Sequence, residues 1–74
     1  MSLQSERQKA GYSQRTLAEA SGVSKRVIEK YEQGERDING AGLEILCKLA
    51  TALGCTIFDI LTNDDLKEQL RQSI

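Results

Sequence analysis

Residues 13–34 read "SQRTLAEASGVSKRVIEKYEQG". Ser13 has the short polar side chain that caps helix starts, and an amphipathic segment follows from Gln14 to about Ala20, with Leu17 and Ala18 as its inward positions. Gly22 then supplies the left-handed backbone conformation that a sharp corner between helices requires. Val23 turns back toward the core. Ser24 is a second N-cap, and Lys25 to about Gln33 forms a third helical segment. Its apolar residues Val27, Ile28 and Tyr31 recur at i, i+1 and i+4. Gly34 stops it. The stretch is therefore helix, corner, helix, and the second helix carries Lys25, Arg26 and Lys30 in a chain whose formal net charge is −1.

The rest of the chain extends this all-helical pattern. A first helix is expected over about Ser2 to Ala10, ended by Gly11. After the polar loop "GERDING", Asn39 is the expected N-cap of a fourth helix over about Gly40 to Leu53. Leu43, Leu46, Cys47, Ala50 and Leu53 share one stripe of that helix, and Ile45, Leu49 and Ala52 share another. Coverage that wide predicts a central, heavily buried helix. Thr56 and Asp59 have the spacing of a capping box and open a short fifth helix, about Ile57 to Leu61. Asn63 caps a C-terminal helix over about 63–73, where Leu66, Leu70 and Ile74 recur every four residues.

Composition bounds the function. Seventy-four residues suffice for one small domain, here 1–74, and such a core is marginal without dense packing or a partner subunit. Hydrophobic residues at 39% and charged residues at 28% give a globular balance, not a disordered one. No apolar run approaches a membrane span or a secretory signal, so a cytoplasmic location is expected. Cys47 and Cys55 lack zinc spacing and the chain has no histidine. Both cysteines are expected to be structural, Cys47 as a small core residue, and no metal or cofactor is expected. The missing histidine also removes the commonest general base, and no nucleophile pattern or phosphate-cradling glycine loop is present. A non-enzyme is expected. Charge is uneven: residues 1–36 carry a balance of +2 and residues 37–74 one of −3. That asymmetry hints at a polyanion-facing side.

The segments "GYSQRTLAEASGVSKRVIEKYEQGERD" and "LEILCKLATALGCTIFDIL" resemble the Cro/repressor-type (XRE) helix-turn-helix family over residues 7–62. The resemblance implies an all-α, five-helix, lambda-repressor-like fold, here with a short sixth helix at the C-terminus, and a helix-turn-helix motif at about 13–33. It also implies binding of double-stranded DNA. In this motif the second helix enters the major groove and its first residues meet base edges. Ser24, Lys25, Arg26 and Lys30 take those positions. Val27 either touches a thymine methyl or packs inward. Gln14 matches a family position that contacts the DNA backbone, with Ser13 and Arg15 nearby. Arg36 and Asn39 flank the groove from the other side. Arg7 and Glu32 match positions that often form a structural ion pair, and Ala18 and Gly22 match the helix crossing and the corner. At Glu6 the chain departs from the family, which often has leucine there.

A single module of this size contacts only a few base pairs, so a homodimer on two half-sites is expected. Its interface lies either at the fifth helix, around Ile57, Phe58 and Leu61, or along the tail stripe, unless that tail folds back on its own domain. The leading expectation is a transcriptional regulator that represses by occupying an operator. The alternatives are an antitoxin that represses its own operon, and a protein-interaction module on the same fold.

Overall fold

Each helix begins beside a short polar side chain or a glycine, and four glycines sit at the corners. The computed structural model describes residues 2–73 as six α-helices and one 3-10 turn, with no strand among the described residues. They are α1 (Leu3–Lys9), α2 (Gln14–Ser21), α3 (Lys25–Gln33), α4 (Leu43–Leu53), α5 (Ile57–Ile60) and α6 (Asp64–Ser73). Ser2, Ser13 and Ser24 cap α1, α2 and α3 by accepting the N–H of Ser5, Thr16 and Val27 at 3.1, 3.1 and 3.2 Å. Such caps are worth about 0.5–2 kcal/mol each. Gly22 takes φ +77°, the left-handed region expected at the corner. A Cβ placed there meets nothing within 4 Å, so the backbone conformation and not crowding demands glycine.

The core is built by Leu17, Ile28, Leu49, Ile60 and Leu61, all fully buried. At about 1.5–3 kcal/mol for each buried aliphatic side chain, these five dominate the favourable side of folding. Leu17 lies on α2, which packs against both α3 and α4, so the helix–corner–helix unit is held by the same cluster that centres the domain. Ala18, Val27 and Tyr31 lie against that cluster, half-buried.

Three expectations are corrected. Asn39 does not cap the fourth helix, which does not start at Gly40. Asp37 instead caps a 3-10 turn over Ile38–Gly40, and α4 begins at Leu43 after Gly42. An Asp or Asn before a turn offers the same local hydrogen bond that caps a helix, and the two uses look alike in sequence. Cys47 is not in the core but exposed, and Leu43 is 70% exposed. Only Leu46, Leu49 and Ala50 of α4 are buried, because α2 and α5 cover one side of the helix. Glu6 keeps an inward position where the family often has leucine: it is 7% exposed, with Lys9 Nζ 3.2 Å from its Oε2.

The tail folds back. Leu66 and Leu70 pack on the core cluster, and Asn63 caps α6 by accepting the Leu66 N–H at 3.0 Å. Ile74, the third member of the tail stripe, lies outside the described residues.

Candidate nucleic-acid interface

The first turn of α3 presents Ser24, Lys25 and Arg26 to solvent. Ile28, on the opposite side, is fully buried and sets the angle of the helix on the domain. Arg26 forms no ion pair or side-chain hydrogen bond among the described residues, and neither does the half-buried Lys30 one turn later. Lys25 pairs with Glu29 at 3.2 Å, an exposed i, i+4 pair of the kind worth only about 0.3–0.5 kcal/mol. Val27 is half-buried against the core cluster. The outward face of α3 thus holds two unpaired cations and one loosely held.

Glu32 fixes the other side of this helix. Its carboxylate accepts from Arg7 Nε at 2.8 Å and Arg7 Nη2 at 3.0 Å, a bidentate pair joining α1 to α3. The Glu32 side chain is 4% exposed and that of Arg7 12%. Arg7 Nη1 also donates to the Tyr12 carbonyl at 3.0 Å, tying down the turn before α2. The hydrogen bonds that Arg7 donates to Glu32 raise the Arg7 pKa further, against a smaller opposing effect of burial. Glu32 Oε1 accepts a third bond, from Gln14 Nε2 at 3.1 Å. One carboxylate therefore joins the first three helices, and it does so with all its charge compensated.

The expected phosphate contacts separate into two groups. Ser13, Gln14 and Arg15 stand together at the start of α2. Arg15 is exposed, with Glu19 at a loose 3.8 Å. Gln14 retains one amide N–H beyond its bond to Glu32. Arg36 is exposed and unpaired in the loop after α3. Asn39 is corrected. Its backbone N–H and Nδ2 donate to Asp37 Oδ1 at 3.0 and 2.8 Å, and Nδ2 donates again to Thr62 Oγ1 at 2.9 Å. Its Oδ1 accepts from the N–H groups of Thr62 and Asn63, both at 2.9 Å. Every donor Asn39 has is used inside the domain, so none remains for a phosphate. It is instead a strut between the loop after α3 and the junction of α5 with α6.

Two further features lie away from this face. Glu6, Cys55 and Asp59 bring their ligand atoms within 4.8 Å of one another. Lys9 and Lys67 are the cations that act on this group. Burial, and then Asp59 and Glu6, push the Cys55 thiol pKa up, so it is a poor nucleophile. The second feature is an apolar groove of about 410 Å³ lined by Leu43, Leu46, Ile57, Phe58, Leu66 and Leu70 among others. The two interface segments expected from sequence, α5 and the tail, form this one groove together. Arg71 lies over the Phe58 ring at 5.6 Å.

No helix among the described residues is long and apolar enough to cross a membrane. No curated protein and no solved structure matches the chain. A family model described as Helix-turn-helix matches residues 3–60, which spans α1 through α5 and places the capped corner and the cationic helix α3 at its centre. The chain belongs to the Cro/repressor-type helix-turn-helix family of DNA-binding regulators.

Proposed function

We propose that the protein is a repressor that inserts α3 into the DNA major groove and occupies an operator as a homodimer. The observation that supports this most is the outward first turn of α3: Arg26 is exposed and unpaired on a helix anchored by Ile28 and Glu32. A guanidinium offered this way reads guanine O6 and N7 in a bidentate contact. Ser24 and Lys25 read neighbouring bases, with Lys25 exchanging Glu29 for DNA, and Lys30 extends the contact by one turn. Ser13, Gln14 and Arg15 hold the phosphates on one side and Arg36 those on the other. In this reading the second copy meets the apolar groove around Leu43, and the pair reads two half-sites one DNA turn apart.

Binding to a palindromic segment of the protein's own promoter, measured across salt concentrations, tests this. Affinity falls steeply as salt rises, because phosphate contacts release counterions. Arg26→Ala relaxes base preference by about 1–3 kcal/mol at one position of each half-site. Equal, weak binding to all duplexes, unmoved by that change, overturns the proposal. The antitoxin alternative keeps the DNA-binding face and is favoured by a toxin gene next door, whereas the interaction-module alternative predicts no salt-dependent binding to DNA.

A further inference from the structure

We infer that Glu32 is a positioning residue for DNA binding, one that aims the side-chain amide of Gln14 at a backbone phosphate. This deepens the proposed function and rests on it. An amide NH₂ carries two N–H donors in the plane of its own carbonyl. Glu32 Oε1 accepts one of them at 3.1 Å. The amide cannot turn over, because its carbonyl oxygen would then face a carboxylate that only accepts. The plane is set and so is its sense, with the second N–H left over at the start of α2. A phosphate oxygen also only accepts, so the donor left available is the kind of group that phosphate requires.

A carboxylate so near a phosphate site would repel DNA if its charge were open. Glu32 avoids this because Arg7 takes both of its oxygens, at 2.8 and 3.0 Å. Arg7 thereby neutralises the orienting group, and Glu32 is free to act through Gln14 without an electrostatic cost. Holding the amide before DNA arrives removes the ordering cost of a flexible side chain, roughly a tenfold effect on affinity at most.

The test uses the full chain, labelled with ¹⁵N, and a palindromic promoter duplex. In the free protein the Gln14 side-chain proton bonded to Glu32 should be protected from solvent exchange and shifted from the value of an exposed glutamine. On adding the duplex, the other proton should shift while the protected one stays in place. Gln14 side-chain protons with the shifts and solvent-exchange rates of an exposed glutamine overturn the inference. A second arm measures duplex affinity for Glu32→Asp, Gln14→Ala and the double variant. Glu32→Asp keeps the charge beside Arg7 but withdraws it from Gln14. It should weaken binding severalfold in the wild-type background and not at all in the Gln14→Ala background. Equal losses in both backgrounds mean that Glu32 acts only by holding α3, and overturn the inference while leaving DNA binding intact. A wild-type chain that binds no duplex overturns the proposed function and this inference with it. If Glu32→Asp does not fold, the labelled wild-type arm decides alone.

Discussion

The two halves of the molecule leave opposite things exposed. From α1 to α3 the apolar residues are inside and the surface offers cations, while the polar side chains beneath are cross-linked by one nearly buried carboxylate. From α4 to α6 the surface offers an apolar groove, and Leu43 on its rim is the one large hydrophobic that is exposed among the described residues. On the proposed function, the difference matches what each surface meets. A polyanion needs unpaired donors on a rigid support, since every loose side chain costs ordering entropy. A protein partner needs apolar area that water covers badly. The N-terminal half thus adds specific polar geometry to its buried apolar core, and the C-terminal half leaves part of its apolar face open.

The largest test of this contrast removes the polar geometry. Glu32→Ala leaves the Arg7 guanidinium without its partner and frees Gln14, and should lower unfolding free energy by about 3–5 kcal/mol in urea denaturation. A loss below about 1 kcal/mol would mean that α1 and α3 are held by apolar packing alone. Next in size is Leu43→Asp. It should leave unfolding of the single chain within about 0.5 kcal/mol, because the side chain is 70% exposed. It should instead cost the proposed dimer about 2 kcal/mol, read as a shift toward monomer in analytical ultracentrifugation. A dimer that tolerates Leu43→Asp would move the interface off this groove.

The smallest effect concerns acid. Asp59 Oδ2 accepts from the Thr56 N–H at 2.9 Å and the Thr56 hydroxyl at 3.0 Å, and these bonds lower its pKa, first through the backbone donor. A carboxyl depressed in the folded state favours folding above its unfolded pKa of about 4. That contribution is lost as pH falls through the folded value. Asp59→Asn should therefore flatten the acid limb of a plot of unfolding free energy against pH, lying below the wild type near neutrality and meeting it at low pH. An unchanged acid limb would assign it to other carboxylates.

Local signals were legible wherever the partner lies within one helical turn. Ser13, Gly22, Ser24, Asn63 and the Thr56–Asp59 pair all stand where their spacing places them. The Arg7–Glu32 pair was legible only through family resemblance, since nothing local links residues 25 apart. Asn39 misled because a turn-forming Asx pattern and a helix cap share the same local chemistry, and its true partners Thr62 and Asn63 lie 23 and 24 residues away. Cys47 misled because apolar spacing marks which faces can be buried, not which faces have a neighbour. The third bond to Glu32, from Gln14 eighteen residues earlier, left no trace in the pattern.

By itself the sequence determined six helical segments, the left-handed corner at Gly22, and a cationic outward face on α3. Those properties depend on backbone preference and on spacing over three or four residues, which act before any helix meets another. Only the tertiary structure decided that Glu32 serves Arg7 and Gln14 together, that Asn39 braces the junction of α5 with α6, and that α5 and the tail make one groove. Each of these joins residues distant in the chain, and the geometry that lets them bond exists only after the helices have packed.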